Sequence, residues 1–214
     1  MARARFLTVA LPVRGGGRGV SLAWLALITV WLVLVLLGMF ALQRYKSTPA
    51  SDDSAPAHWP SDSHILRSSV HPTLLMLAHP HCPCTRASLA ELSRLLTTLS
   101  GRLDAHVLFI RPEGVDADWE SSALLERARQ IPGVSVELDL AGREAALFGA
   151  RTSGDTLLYG ADGALLFQGG ITSARGHEGD NVGSQRISSL VITGSTDLGQ
   201  SAVFGCELSN DAPP

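Results

Sequence analysis

The spacing of hydrophobic and polar positions changes several times along the chain, and each change predicts an element. Ser21–Leu42 (SLAWLALITVWLVLVLLGMFAL) carries no charge and no proline. At about 1.5 Å per residue such a run crosses a hydrocarbon layer roughly 30 Å thick, so it predicts one transmembrane helix. The apolar part of a cleaved signal would be only about 7–15 residues long, and the small-residue site Ala55-Pro56-Ala57 lies too far downstream. Gln43–His64 has no period and is rich in Ser, Asp, Pro and Ala, which predicts a flexible tether. From Ile65 the periods return. His71–Ala78 is too short for a helix core and predicts a strand buried on both faces. Cys84–Leu99 predicts a helix with Leu89, Leu92, Leu96 and Leu99 on one stripe and Gly101 as its stop. Ala105–Ile110 predicts a second buried strand. Asp116–Ile131 predicts a helix capped by Asp116 or Asp118, with Leu124, Leu125 and Ala128 inward. Val134–Leu140 alternates, as a strand covered mainly on one face does. Gly142–Ala150 predicts a short helix, Thr156–Gly160 and Ala164–Gln168 a hairpin turning through Ala161-Asp162-Gly163, and Ile187–Val191 part of a last helix. The order β-α-β-α-β-α-β-β-α argues for an α/β domain with parallel strands and an antiparallel hairpin.

A chain of 214 residues, 45% hydrophobic with a net charge of −3, has room for one domain plus appendages. The expected division is a basic N-terminus at 1–20, the membrane helix at 21–42, the tether at 43–64 and a globular domain at 65–214. Arg3, Arg5, Arg14 and Arg18 precede the span while only Arg44 and Lys46 follow it closely. The positive-inside bias therefore puts the N-terminus in the cytoplasm and the domain outside, in the periplasm if the source is bacterial. The lipid bilayer is thus the first expected partner. The domain has no basic run, which argues against nucleic acid, and no Ser/His/Asp arrangement or phosphate-cradling glycine loop stands out.

The chemistry concentrates where the first strand meets the first globular helix, in His79-Pro80-His81-Cys82-Pro83-Cys84. Proline suits the first helical position, which makes Cys82 the expected N-cap, facing unpaired amides and the positive end of the helix dipole. Both favour the thiolate, the form that attacks disulfides and binds metals. Cys82 is accordingly expected to be the reactive, more exposed thiol and Cys84 partly covered, the two close enough for a Cys-Pro-Cys disulfide or a shared metal. Cys206 is the third and last cysteine. Three are too few for a stapling framework and suit a redox or metal site in an oxidising compartment. Gly194–Cys206 spans up to about 40 Å if extended, enough to bring Cys206 back to the pair, where it resolves a mixed disulfide or completes a metal site. His79 and His81 add imidazoles, which with thiolates suit Zn, Cu or iron–sulfur ligation, or depress a neighbouring thiol pKa. Arg86 and Arg151 are candidates to stabilise a thiolate or bind an anion.

A buried strand ending in a cysteine pair that opens a helix, followed much later by a strand, an Asp-Gly turn and another strand, resembles the thioredoxin fold. The extra helix and strand between Asp116 and Leu140, and the stretch Leu138–Gly170, are similar to membrane-anchored TlpA/ResA-type thiol-disulfide proteins. More distantly they resemble peroxiredoxins and Sco-type copper-delivery proteins. The resemblance covers roughly His71–Val191, and the His-Pro-His-Cys-Pro-Cys string is similar to that of the bacterial membrane proteins called RedB. Two positions depart from the pattern. Aligning on Pro83-Cys84 places Cys84 at the second family cysteine and His81 at the first, with Cys82 between. Gly154 stands at the family's cis-proline, whose backbone helps dock a substrate dithiol, and its smallness implies more room beside the sulfurs. In the family's sheet the loop Gly169–Gly183 leaves from the cysteine edge, which makes His177 a candidate, with Glu178, Asp180 and Asn181 behind it.

The first expectation is thiol-disulfide exchange with protein thiols or disulfides, requiring no cofactor. Cys82 attacks, Cys84 closes the ring, His81 tunes the pair and Cys206 resolves. A disulfide spanning one residue is strained, which points to an oxidant or isomerase. The alternative is a Cu(I)- or Zn-binding or metallochaperone domain using Cys82, Cys84, His79, His81 and His177, with Cys206, and passing its ion to a metal-receiving protein. A structural membrane-anchored module is the third.

Overall fold

A computed structural model describes residues 21–50, 54–115, 119, 121–195 and 198–208. The chain divides into two compact units, Met1–Leu42 and Gln43–Pro214. Helix α1 (Leu22–Ser47) has no buried residue and is long and apolar enough to cross a membrane.

The second unit is built on a six-stranded sheet in the order β3-β2-β1-β4-β5-β6. Strand β1 (Thr73–Ala78) lies at its centre, parallel to β2 (Asp104–Arg111), which is parallel to β3 (Val134–Leu140). On the other side of β1 the hairpin β4 (Asp155–Tyr159) and β5 (Leu165–Gly170) pairs antiparallel, so β5 points the same way as β1. A two-residue strand, β6 (Gly199–Gln200), runs parallel to β5 at the edge; the sequence periodicity does not foreshadow it.

All six residues of β1 are buried, as its unbroken apolar run requires when both faces of a sheet are covered. Leu74, Met76 and Ala78 join one apolar cluster with Leu89, Leu92, Leu95 and Leu99 of helix α2 (Thr85–Thr98) and its C-cap, and with Ile187 and Leu190 of helix α5 (Val182–Thr193). Leu75 and Leu77 face the opposite cluster, with Phe148, Leu157 and Tyr159 beside helix α4 (Arg143–Leu147). Each fully buried side chain of this size contributes roughly 1.5–3 kcal/mol by leaving water, which makes β1 the mechanical centre of the domain.

Two expectations are corrected. The helix expected over Asp116–Ile131 is α3, only Ala123–Arg129, capped by the Ser122 hydroxyl accepting from the Leu124 amide; Asp116 and Asp118 lie outside the described residues. The flexible tether expected up to His64 is, from Ser54 onward, a strap packed on the sheet. Trp59 stacks edge-on against Phe148 and Tyr159 at 5.0 and 5.2 Å. The Tyr159 hydroxyl donates to Pro56 O, the Trp59 amide to Gly163 O, and Ser63 Oγ and His64 Nδ1 both reach buried Glu144. The polar composition hid a single aromatic anchor, Trp59, that the second apolar cluster needs as its cover.

Candidate thiol site

The strand β1 ends at Ala78, and a short turn carries His79–Cys84 into α2. The helix begins two residues later than the proline suggests. Cys84 is the N-cap, with helical φ −69° and ψ −29°, and Pro83 lies in the preceding turn, where Cys82 O accepts from the Thr85 amide at 3.1 Å. That turn still aims the amides of Cys84 and Thr85 at the Cys82 sulfur, so the thiolate-favouring environment expected at the helix start survives the shift in boundary.

The exposure order is the reverse of the one expected. Cys82 is 2% exposed and Cys84 9%, while Cys206 is half-buried. Cys82 is covered because the C-terminal segment returns across the sheet edge and sets Cys206 Sγ 2.8 Å from Cys82 Sγ. Both Cys82 and Cys84 are buried, outside the two large apolar clusters, and the Cys82 sulfur faces another thiol and main-chain amides. The three sulfurs lie within 4.8 Å of one another, and among the described residues they are the one group of three such ligands that close.

The three thiols differ sharply in acidity. Burial pushes Cys82 up, but the Cys206 thiol and the amides of Cys206, Cys84 and Thr85 outweigh it and hold Cys82 below the ordinary thiol range. Burial raises Cys84, and the neighbouring Cys82 raises it further. Cys206 is pushed up to about 12 by burial and by donating to Cys82. Of the three thiols, Cys82 is therefore the one whose surroundings most favour the thiolate.

Ser153 ties the segments together. Its hydroxyl accepts from the His79 amide at 3.0 Å and pairs with Thr85 Oγ1 at 2.8 Å, while its own amide donates to Cys206 O at 2.8 Å. The end of β1, the start of α2 and the tail are thus pinned by one residue. Gly154 follows at φ +94°, its amide on Leu77 O, and among the described residues there is no cis peptide bond. The room implied at Gly154 is taken up by α2, whose Ser88 Oγ would stand 2.9 Å from an added Cβ, while the tail runs beside the preceding residues, Glu207 pairing antiparallel with Thr152.

The expected histidines stand apart from the sulfurs as ligands. His79 and His81 stack edge-on against Trp119 at 5.4 and 4.5 Å, and His79 Nδ1 accepts the His81 amide. Burial and the neighbouring His81 lower the pKa of His79, consistent with a neutral accepting ring. His177 is exposed, on a loop that buried Glu91 of α2 fastens by accepting from the Gly179 amide and Asn181 Nδ2. None of the three joins the sulfur cluster. Arg86 and Arg151 are exposed; the cation acting on the thiols is Arg175, which pulls Cys84 and Cys206 back toward lower pKa and donates to Gly205 O. Arg175 also lies 5.0 Å from the Tyr45 ring centroid.

Ser153, Trp119 and Arg175 are the residues that sequence reasoning passed over. Ser153 adjoins the Gly154 that marks the family's proline position, which was a usable signal; Trp119 and Arg175 offered none without the fold.

No protein-family model and no curated protein matches the chain. Solved structures do. An uncharacterized conserved protein from Geobacillus kaustophilus aligns at 14% identity over 75% of this chain and 95% of its own, with a TM-score of 0.58. A hypothetical protein from Sinorhizobium meliloti aligns at 18% over 76% and 96%, with a TM-score of 0.54. A secreted Mycobacterium tuberculosis disulfide oxidoreductase aligns at 15% over 59% and 83%, with a TM-score of 0.41. At these identities the likeness is one of architecture. The strand order β3-β2-β1-β4-β5-β6, with β1 to β3 parallel and β4–β5 an antiparallel hairpin, is the arrangement that the thioredoxin resemblance implies, and the thiols lie at the end of β1 with a third sulfur delivered by the tail.

Proposed function

We propose that the chain is a membrane-tethered thiol-disulfide exchange protein in which Cys82 is the nucleophile and Cys206 its proton donor and resolving partner. The observation that carries this reading is the Cys82–Cys206 pair, 2.8 Å apart, one thiol held low and the other at about 12. A short movement converts that separation to the roughly 2.05 Å of a disulfide.

The Cys82 thiolate attacks one sulfur of a partner disulfide. A Cys82–partner bond forms, the partner's second sulfur leaves as thiolate, and it takes the proton released by Cys206. The Cys206 thiolate, or Cys84 in its place, then attacks Cys82 Sγ in the mixed bond. The partner's first sulfur leaves as a thiolate and takes a proton from water, so the partner departs as a dithiol, two electrons richer, and an intramolecular disulfide remains; the reverse sequence oxidises a partner. His79 and His81, stacked on Trp119, precede Cys82 in the His-Pro-His-Cys-Pro-Cys string, which is similar to that of RedB-type proteins. With α1 as anchor and the positive-inside bias of Arg3, Arg5, Arg14 and Arg18, the domain faces the extracytoplasmic side.

A second reading is favoured by the three sulfurs lying within 4.8 Å, a donor set that suits Cu(I) or Zn. Holding an ion there requires Cys84 and Cys206 to lose protons they retain strongly, so the ion itself would have to supply the stabilising charge.

Equilibration of the purified full chain with glutathione buffers, followed by mass mapping of the bonded cysteines, tests the first reading. A Cys82 disulfide that tracks the buffer is expected, and a site that stays reduced throughout sinks the proposal. Stoichiometric metal in the reduced protein, lost on Cys82→Ser, would establish the second reading instead.

A further inference from the structure

The segment that follows the apolar span is fastened to the residues around Cys206. The uncharged run ends at Leu42, α1 continues to Ser47, and Tyr45 and Lys46 already belong to the second compact unit. The Tyr45 ring is 62% exposed and has the Arg175 guanidinium 5.0 Å from its centroid, while the Arg175 amide donates to Lys46 O at 3.1 Å. Further on, the Ala50 amide donates to Val203 O at 2.9 Å, and Val203 is buried. Arg175 in turn donates to the carbonyl of Gly205, the buried residue before Cys206. Tyr45, Lys46 and Ala50 are thus bound to the loop and the tail that hold the third sulfur. The chain's own connectivity then limits how far the thiols lie from lipid. Tyr45 follows the apolar run by about 4.5 Å of helix, inside a headgroup layer roughly 5–8 Å deep. Tyrosine rings concentrate at that level. From Leu42 through Tyr45, Arg175 and Gly205 to the Cys206 sulfur the path is on the order of 20 Å.

We propose that the Tyr45–Arg175 clamp keeps the thiol site close to the lipid headgroups, and that its exchange partner is a disulfide carried by a membrane-embedded polypeptide near the bilayer surface. A disulfide displayed at that height reaches the site by diffusion in the plane of the membrane, at the effective concentration its tether sets. One held far above the bilayer does not span the gap. The tail stays in place throughout, so Cys206 remains beside Cys82 for the exchange. The choice of partner rests on the exchange reading, but the placement of the site does not.

The test uses the full chain, with its cysteines reduced, in lipid nanodiscs. The probe is a peptide closed by one disulfide and joined to a lipid through a spacer of four or twenty prolines, about 12 or 62 Å long at 3.1 Å per residue. Its reduction breaks the peptide S–S bond and delivers two electrons, one proton from Cys206 and one from water, leaving a Cys82–Cys206 disulfide. At equal surface density the short-spacer peptide is reduced about tenfold faster than the long one. Tyr45→Ala releases the clamp and brings the two rates together, with the rate for an untethered peptide unchanged. A rate that does not depend on spacer length in the parent chain overturns the inference. Placement is read separately from chemistry. In chains carrying Cys82→Ser, Cys84→Ser and Cys206→Ser, a spin label is attached through Ser173→Cys, two residues from Arg175, or through Asp162→Cys, at the other end of β5 and roughly 20 Å of strand away. Both positions are exposed. A nickel-chelating headgroup lipid relaxes the label near Arg175 more strongly than the label at the hairpin turn. Equal relaxation overturns the inference even where the glutathione equilibrium of Cys82 is intact in the parent chain. Unequal relaxation with neither peptide reduced leaves the placement standing and removes the exchange reading instead.

Discussion

Cys82, Cys84 and Cys206 carry three acidities within one small volume, and the differences follow from partners rather than from the residue type. Cys82 is ionised more easily than an ordinary thiol because its neighbours donate to it, so its reactivity persists as pH falls below the usual thiol range of about 8.5. The rate of alkylation of Cys82 by iodoacetamide should therefore turn over below that value. Cys206→Ala removes the principal donor, and the turnover should move upward in pH; an inflection that does not move would show that the amides alone set it. Ser153→Ala deprives the His79 amide of its partner and leaves the Thr85 hydroxyl only the longer bond to His79 O. It should cost about 1–3 kcal/mol in urea unfolding and accelerate hydrogen exchange at the His79 amide.

At the scale of elements, the strap and α2 hold opposite faces of the sheet. Trp59 closes the face that Phe148 and Tyr159 present, so Trp59→Ala should lower stability by about 2 kcal/mol, below the roughly 3–5 kcal/mol of a fully buried ring. Gly149 has φ +68°, and an added Cβ would stand 2.9 Å from Ser54 O. Gly149→Ala should accordingly loosen the strap and expose Ala55–Trp59 to limited proteolysis, while a proteolytic pattern unchanged from the parent would mean the strap is held elsewhere. On the other face Leu92 of α2 is fully buried, and Leu92→Ala should cost about 2–5 kcal/mol. Most of these elements could be read in advance. The unbroken apolar run of β1 and the leucine stripe of α2 are signals of local period, and Ala161-Asp162-Gly163 signals a turn by composition. The strap could not, because only the face it covers explains why its lone Trp59 matters. Strand β6, at two residues, is too short to show a period.

For the whole molecule, the proposed arrangement is a thiol domain held to a bilayer by one helix. The full chain should stay with membranes through a carbonate wash, and a chain beginning at Gln43 should not. A membrane-impermeant maleimide applied to intact cells should label the domain's cysteines if it faces outward; labelling only after lysis would reverse the orientation. Metal content of the reduced protein decides at the same scale between exchange and ion capture, since both readings use the three sulfurs.

By itself the amino-acid order determined the succession of elements from β1 to α5, the long apolar N-terminal helix and the placing of Cys82 and Cys84 at a strand-to-helix junction. Each of these depends on residues a few positions apart, whose pattern repeats within one turn or one pleat. Tertiary structure alone decided that Cys82 is the most enclosed of the thiols, that Cys206 covers it from 124 residues away, and that Arg175 and Ser153 rather than His177 attend the sulfurs. Those facts depend on how a tail crosses a sheet edge, and the contacts that guide it there are formed with strands distant along the chain.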